Sequence, residues 1–440
     1  RARLWGAERG QEGLTMAAAT ERAWCCTVCG HVYRGDAPPE CCPSCGAAPT
    51  EFEPYDEAQE SAAAAPAIEW QDVGAAEELA RQPVQEIEVG HTTIALVCRD
   101  GQFSAISGKC NHVGGPLGHG HLEGEHVVCP WHSWRFDGAT GEGKTGCACE
   151  GDKVPTYAVK VENGRVLVSA AEATPRVHKP RTPHPLTKIA LRGQPGGPAV
   201  TDPLRVVGIS TTNMDVSNPR YSTSDRLLNE ALGRARDCGA ETRLVRLAEL
   251  QFRACEGYYS KSSRACIWPC SITQMDPADQ MQVVYDAFVR WGDIVIVATP
   301  IRWGQASSLY YKMVERMNCI QNQETIANRH LMRTKVVGLI ITGGQDNIQA
   351  VAGQMLTFFG ELGCQFPQYP FIAHSRGWSA EDMENNVRYV EESKDLHEAA
   401  AGLVDRCLDT CRALLGVSIG AGHVPRGGRK AHELDVHAQI

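Results

Sequence analysis

One cysteine paired with one histidine, twice over, constrains this chain more than any other feature. The first group reads Cys110-Asn111-His112-Val113-Gly114-Gly115-Pro116-Leu117; the second reads Cys129-Pro130-Trp131-His132-Ser133-Trp134-Arg135-Phe136-Asp137. The pattern is C-x-H, sixteen residues, then C-x-x-H. Each half offers one thiolate and one imidazole. That set suits an unsymmetrical two-iron cluster, with both sulfurs on one iron and both imidazoles on the other. Neutral imidazoles reduce the negative charge around such a cluster, so it accepts an electron more readily than a four-thiolate one. A C2H2-type zinc site needs different spacing and leaves the double glycine unexplained. Short alternating or apolar runs at 86–89, 93–97, 103–106, 126–128 and 157–161 predict strands around the two groups.

A second cysteine group lies near the start, in Trp24-Cys25-Cys26-Thr27-Val28-Cys29-Gly30-His31-Val32-Tyr33 and Pro39-Glu40-Cys41-Cys42-Pro43-Ser44-Cys45-Gly46. Two C-x-x-C pairs, each followed by glycine, form two knuckles whose backbone amides turn toward sulfur. The glycine permits the positive φ of that turn. Twelve residues separate Cys29 from Cys42, enough for a small hairpin. Four thiolates from Cys26, Cys29, Cys42 and Cys45 suit either zinc or one iron. Trp24, Tyr33 and Phe52 are expected to form an aromatic mini-core beside them.

The 440 residues hold 19 cysteines, an odd and unevenly spread number. With a polar start that lacks an apolar signal core, a disulfide scaffold fits badly and metal sites in a reducing cytoplasm fit well. The net charge of −9 argues against nucleic acid or an anionic membrane as main partner, and no apolar run approaches the ~18 residues of a membrane helix. A prior of ~150 residues per domain suggests about three domains. The reading is an extension over 1–21 with Met16 as the expected start, a metal knuckle module over 22–55, and a linker over 56–67. The two-iron module follows over 68–170, then a Pro/Gly-rich linker over 171–202, a large module over 203–416 and a disordered tail over 417–440.

From residue 203 the pattern becomes apolar runs alternating with amphipathic helices. Strands are expected at 204–209, 242–247, 294–298, 335–341 and 371–373, with helices at 225–237, 278–291, 307–317, 348–362 and 380–415. Continuous apolar strands between helices mean a parallel sheet covered on both faces, and five of them suggest a doubly wound α/β sheet. Ligands of such sheets sit at the carboxyl ends of the strands. There the chain places Ser210 and Ser222-Thr223-Ser224 before a helix, hydroxyls suited to a phosphate at a helix start. It also places Pro300-Ile301-Arg302-Trp303-Gly304 and Gly343-Gly344, suited to a flat ring system.

Three resemblances follow from these residues. C-x-x-C-G-H-V-Y…C-P-x-C-G resembles rubredoxin, in the short form appended to rubrerythrins, which implies one redox-active iron on Cys26, Cys29, Cys42 and Cys45. A structural zinc ribbon is the alternative. C-x-H…C-P-W-H followed by W-R-F-D resembles the Rieske family, implying an all-β domain with a [2Fe-2S] cluster on Cys110, His112, Cys129 and His132. No extra cysteine lies in either cluster loop, so the resemblance is to ferredoxin-type and oxygenase-type Rieske domains rather than high-potential ones. The large module looks like the flavodoxin-like NAD(P)H-dependent FMN reductases and iron–sulfur flavoproteins. On matching positions Ser210, Ser222, Thr223 and Ser224 are expected at the FMN phosphate. Pro300, Ile301, Arg302, Trp303, Gly304, Gly343 and Gly344 are expected at the ring. Trp303 replaces the usual tyrosine, and Arg302 adds a charge that could stabilise anionic reduced flavin. Cys255, Cys266 and Cys270 fall where iron–sulfur flavoproteins carry a further cluster, but without a clear fourth ligand, so free or buried thiols are the preferred reading.

Together these imply an FMN-dependent oxidoreductase that couples NAD(P)H oxidation to one-electron transfer through two iron centres. No G-x-G-x-x-G follows a strand, so NAD(P)H is expected to meet the flavin directly. The chemistry is borne by the cofactor, with Arg302 and Trp303 as candidates beside the ring. Expected partners are an oxygenase or an electron carrier, and further copies of the chain. The alternative is a carrier or redox sensor whose electrons enter at iron and leave through FMN to a quinone, nitro compound or oxygen.

Overall fold

The computed structural model describes residues 22–26, 31–39, 42, 49–55, 69–179, 181, 184–187, 191–192, 197–326, 329–343 and 347–415. The expected N-terminal extension, first linker and C-terminal tail lie outside these residues.

The first module is an antiparallel sheet in which β1 (Ala23–Cys26) lies between β2 (Val32–Arg34) and β3 (Phe52–Tyr55). Its small core holds Cys26, Cys42 and Phe52, with Trp24 and Tyr33 packed against them. The aromatic mini-core expected from sequence therefore forms, and Trp24 Nε1 locks it by donating to the Gly35 carbonyl at 3.0 Å.

The second module is all-β. In chain order it contains β4 (Trp70–Ala75), β5 (Val84–Val89), β6 (Thr92–Arg99), β7 (Gln102–Ser107), β8 (His121–Glu123), β9 (His126–Val128), β10 (Arg135–Asp137), β11 (Thr156–Glu162) and β12 (Arg165–Thr174). Six strands form one sheet in the order β4-β12-β11-β7-β6-β5, and β8, β9 and β10 form a second, smaller one. Period-two side-chain alternation splits the large sheet between two cores. Ile94, Leu96 and Ala105 face one side. Ala95, Val97 and Ile106 face the other, where Cys110, Leu117, Cys129, Trp134 and Phe136 pack on them. The cysteine–histidine loops are thus anchored on the sheet by their own buried residues.

The third module is the expected doubly wound sheet, with five parallel strands. They are β13 (Arg205–Ser210), β14 (Glu241–Arg246), β15 (Ile294–Pro300), β16 (Val336–Gly343) and β17 (Phe371–Ser375), in the order β14-β13-β15-β16-β17. Along β15, Val295 and Val297 enter one core while Ile294, Ile296 and Ala298 enter the other. Helices cover both faces: α1 (Thr223–Asp237), α2 (Ser308–Arg316), α3 (Asn318–Thr325), α4 (Ile348–Glu361), α5 (Ala380–Glu392) and α6 (Lys394–Leu414). The stretch expected as one helix over 380–415 is two, because Ser393 leaves the helix and caps the next by accepting from the Leu396 amide.

Two segments differ from expectation. Part of the Pro/Gly-rich stretch over 171–202 is packed rather than extended. β12 continues to Thr174, Val177 exchanges backbone hydrogen bonds with Lys153, and Leu186 and Leu191 enter the core of the third module. Proline removes regular structure but leaves neighbouring apolar and arginine side chains free to find partners. The second segment, residues 251–280 between β14 and the helix leading to β15, has only short helical turns yet is firmly held. Arg316 at the end of α2 has no exposed side-chain surface and pairs with the equally buried Asp279. Its guanidinium donates to both Asp279 oxygens (2.9 and 2.7 Å), the Thr273 hydroxyl (2.8 Å) and the Arg253 carbonyl (2.7 Å). Trp268 adds an edge contact with Tyr285 at 5.1 Å and a hydrogen bond to the Leu186 carbonyl.

Burial alone raises the Asp279 pKa, but hydrogen bonds from Arg316, the Arg253 amide and Thr273 outweigh it and hold the carboxyl below its usual 3.8. A depressed folded-state pKa means the contribution to stability is present above the unfolded value and is lost as pH falls through the folded one. Asp279→Asn leaves a buried guanidinium uncompensated, and we expect a loss of about 3 kcal/mol. Urea unfolding of the third module at neutral pH should show the lower midpoint, and an unchanged midpoint would refute the anchoring role.

Candidate iron and flavin sites

The two cysteine–histidine loops meet at one end of the second module, one between β7 and β8 and the other between β9 and β10. Short backbone bonds close each loop. The Cys110 amide donates to Gly115 (2.9 Å) and the Gly114 amide to Cys110 (3.0 Å); Cys129 donates to Trp134 (2.8 Å) and Ser133 to Cys129 (3.1 Å). The tight turns need positive φ at Gly114 (76°) and Ser133 (57°). Gly115 is held by space: a Cβ there would sit 2.7 Å from Cys129 Sγ.

The geometry brings Cys110, His112, Cys129 and His132 together. All four are buried, and the two imidazoles meet edge-on with ring centroids 4.3 Å apart. Burial pushes the Cys110 thiol well above its ordinary value, while a hydrogen bond from Cys110 holds Cys129 below its own. Burial also pushes His132 down to about 4 and His112 well below its ordinary value, so both rings are neutral at pH 7. The Nδ1 atoms of both histidines are buried and have no hydrogen-bond partner. His132 Nε2 lies 2.7 Å from the Ala265 carbonyl, which can only accept, so the proton is on Nε2 and Nδ1 keeps its lone pair. Two neutral imidazoles with orphaned Nδ1 atoms beside two thiols fit iron ligation.

Residues beyond the four candidate ligands complete this shell. Trp134 stacks on His112 with centroids 4.6 Å apart, and the Arg181 guanidinium lies over the indole, 4.9 Å from its centroid. Arg181 is itself held by the fully buried Asp152 carboxylate. Asn111 donates to the Val177 carbonyl at 2.8 Å and accepts from Arg176. Arg176 and Arg181 fall in the stretch read as linker, so spacing gave no sign of them.

In the first module Cys26 and Cys42 are buried side by side in the core. Cys29 and Cys45, the other two expected ligands, lie outside the described residues. Cys110, His112, Cys129 and His132 would be shared between two irons, and among the described residues no three His, Cys, Asp or Glu side chains close on a single metal ion. That count includes Cys255, Cys266 and Cys270. Burial raises the Cys266 thiol to about 12, and its sulfur accepts from Asn318 Nδ2 at 3.4 Å.

At the carboxyl end of the parallel sheet, Ser210, Ser222 and Ser224 gather around Thr212 and Asp225. Ser210 Oγ donates to Asp225 Oδ1 at 2.5 Å, and Thr212 Oγ1 lies 3.0 Å from the Ser222 and Ser224 hydroxyls. Ser222 caps α1 by accepting from the Asp225 amide. Thr223 is not in this group: its hydroxyl accepts from Asn386 Nδ2. Thr212 and Asp225 were missed, although Ser222-x-x-Asp225 is a capping spacing. Ser307 ties this loop to α2, donating to the Thr211 carbonyl at 2.6 Å while capping the helix.

Beside it, residues 302–305 make a tight hairpin, with Trp303 and Gly304 at φ 51° and 71°. Gly304 is fixed by Asn347, which donates to its carbonyl. Ile301 donates to Thr342 at 2.6 Å, and a Cβ on Gly343 would stand 2.6 Å from Ile301 Cβ. Pro300, Ile301 and Gly343 therefore form one close-packed shelf, while Arg302 and Trp303 are exposed, Trp303 by 92%. Gly344 lies outside the described residues. Hydroxyls at a helix start beside an open-sided shelf fit a phosphate carrying a flat ring.

Comparison with known proteins agrees module by module. Residues 24–53 match the family profile of the rubrerythrin rubredoxin-like domain, residues 69–158 the Rieske [2Fe-2S] domain, and residues 205–379 the NADPH-dependent FMN reductase. The ferredoxin component of a Pseudomonas putida naphthalene 1,2-dioxygenase system is 33% identical over 101 residues, 23% of this chain and 95% of that protein. The ferredoxin component of an alkene monooxygenase system from Xanthobacter autotrophicus is 34% identical over 103 residues, 23% of this chain and 81% of that protein. Among solved structures, RosB with a bound riboflavin-5'-phosphate derivative aligns at 19% identity and TM-score 0.40, over 52% of this chain and 87% of that one. The modules account for a [2Fe-2S] cluster, FMN and a rubredoxin-type mononuclear iron. No helix among the described residues is long and apolar enough to cross a membrane.

Gly115→Ala forces a methyl against Cys129 Sγ and the Trp131 ring. We expect iron per chain and Rieske absorbance to fall while FMN content stays at the wild-type level. Unchanged iron content and spectrum would show that the close approach is not needed.

Proposed function

Starting from a chain that belongs to the Rieske [2Fe-2S] family, with rubredoxin-like and FMN reductase modules on either side, we propose an oxidoreductase that draws electrons from NAD(P)H at the flavin module and passes them singly to its iron centres. Bound FMN supplies the chemistry that neither protein nor iron has, accepting an electron pair as hydride and giving electrons up one at a time. The observation that carries the direction is an asymmetry of exposure. At the flavin loops Arg302 and Trp303 are open to solvent, whereas Cys110, His112, Cys129 and His132 are each less than 10% exposed. A diffusible nicotinamide can reach the former and not the latter.

In this reading the hydroxyls of Ser210, Thr212, Ser222 and Ser224 hold the phosphate, with Ser210 and Thr212 turning from their present partner Asp225 to do so. Thr223, engaged by Asn386, supports the helix start. Pro300, Ile301, Gly304 and Gly343 seat the ring, and Arg302 offers a cation to the negative charge that reduction adds. Cys110 and Cys129 ligate one iron of the cluster, and His112 and His132 ligate the other through Nδ1. Cys26, Cys29, Cys42 and Cys45 ligate the mononuclear iron. The final acceptor is a protein of the oxygenase or electron-carrier kind.

Anaerobic mixing with NADPH or NADH tests the reading. Flavin absorbance should bleach first, followed by that of the iron centres, with one nucleotide preferred. Gly343→Val, crowding Ile301, should lose FMN and nucleotide-driven bleaching while dithionite still reduces the iron. Absence of bleaching with both nucleotides would sink the proposal.

A further inference from the structure

The reading above leaves open how an electron passes between the flavin module and the Rieske module. One set of contacts answers it. The free edge of His132, the side of the imidazole away from Nδ1, is covered by residues 258–271 of the third module. Nε2–H donates to the Ala265 carbonyl at 2.7 Å, and the Ser271 hydroxyl donates to the same oxygen at 3.1 Å. The Tyr258 ring meets His132 edge-on, with centroids 4.7 Å apart. Lys261 Nζ donates across the boundary to the Pro130 carbonyl in the same cluster loop, at 2.6 Å.

The apolar side of the two cluster loops is covered as well. Val113 and Trp131 share one core with Ile267 of the third module and with Cys26, Cys42 and Phe52 of the first. Glu51 of the first module lies 3.9 Å from Arg264. All three modules therefore meet at the cluster loops. The segment that covers them is the one Arg316 anchors through Asp279, Thr273 and Arg253. Arg316 ends α2, and the other end of this nine-residue helix, Ser307, is bonded to Thr211 in the flavin-side loop. One rigid element about 14 Å long joins the two places.

We infer that residues 251–280 form a built-in electron-transfer dock whose occupant is the chain's own Rieske cluster loops, with His132 as the group through which the electron crosses. The inference rests on the reading above for the source of the electrons. Each crossing moves one electron: the reduced flavin module loses it, the oxidised [2Fe-2S] cluster gains it, and no atom crosses the seam. The two electrons of one hydride equal the joint capacity of the two iron centres, one each. Lys261, Ile267 and Ser271 are positioning residues, acting through the pose of His132. In this pose the histidine edge is closed to an outside protein.

The test uses full-length protein loaded with iron and FMN. Lys261→Ala combined with Ile267→Glu removes the cross-boundary hydrogen bond and places a charge in the shared apolar core, without touching a cluster ligand. Lys261→Ala alone, at the exposed rim, is the milder companion should the double variant fold poorly. Two quantities are read. The first is the microwave-power saturation of the dithionite-reduced cluster's EPR signal, with and without an added dysprosium chelate. The second is the rate of cluster bleaching relative to flavin bleaching after NADPH or NADH.

In wild type the signal should be insensitive to dysprosium. In the double variant it should become sensitive, and cluster bleaching should slow by at least about tenfold while flavin bleaching is unchanged. A wild-type cluster that is already dysprosium-sensitive overturns the dock. So does an opened variant whose cluster is reduced at the wild-type rate. If neither nucleotide bleaches the flavin, the reading above fails, and the dysprosium measurement alone decides the dock.

Discussion

A guanidinium with no exposed surface holds this molecule's functional geometry together. Arg316 could not be buried alone, because desolvating a cation costs several kcal/mol unless a partner charge and hydrogen bonds offset it. Asp279, Thr273 and the Arg253 carbonyl supply those partners, and all three lie in the segment over 251–280. That segment has little regular structure of its own to define it. Its shape is set by converging on Arg316, and by Trp268 wedged against Tyr285. Because α2 begins at the flavin-side loops and ends in this pair, the same helix sets both the flavin side and the surface that meets the Rieske loops.

The Rieske loops follow a different rule, in which polar groups are buried partly unsatisfied. The orphaned Nδ1 atoms of His112 and His132 are a cost that the protein alone does not offset. Most neighbouring groups are satisfied, the buried Trp134 indole N–H being an exception. The loop amides close on loop carbonyls, Asn111 is held by Arg176 and Val177, and His132 Nε2 is held by Ala265. Such selective dissatisfaction is what a metal site requires, since iron completes the coordination that folding leaves open. At the flavin loops the logic is inverted. Ser210 and Thr212 are satisfied by Asp225, so in the proposed reading a phosphate would have to displace a carboxylate's hold on those hydroxyls.

Local chemistry was legible in the sequence, and assembly was not. Cysteine and histidine spacings, the strand–helix alternation and the hydroxyl-rich helix start each depend on residues close together in the chain. The five-stranded parallel sheet and the convergence of Cys110, His112, Cys129 and His132 followed from them. Arg176 and Arg181 escaped notice because their meaning comes from Asn111 and Asp152, many residues earlier. A proline-rich context labels them as linker, and a local reading carries nothing to correct it. Ser393 divides the last helical stretch by a cap that is visible only once the chain is seen to turn there. Thr223 was read as a phosphate hydroxyl ahead of the helix, but it opens α1 and its hydroxyl accepts from Asn386 of α5, 163 residues away.

The dock also explains why this Rieske module keeps its histidine edge dry. An electron crosses efficiently only when donor and acceptor hold a fixed pose, and covalent linkage alone raises encounter frequency without fixing orientation. Orientation here comes from directional contacts: an imidazole N–H aimed at one carbonyl, an ammonium aimed at another, and a shared apolar core that excludes water. Each is weak enough alone to be broken by a single substitution, and together they define one register between the modules. A carrier meant for an outside partner would leave the Nε2 donor exposed to recruit that partner. Here the chain satisfies that donor with its own backbone, so the outlet to any second protein must lie on a surface other than the face that meets the flavin module.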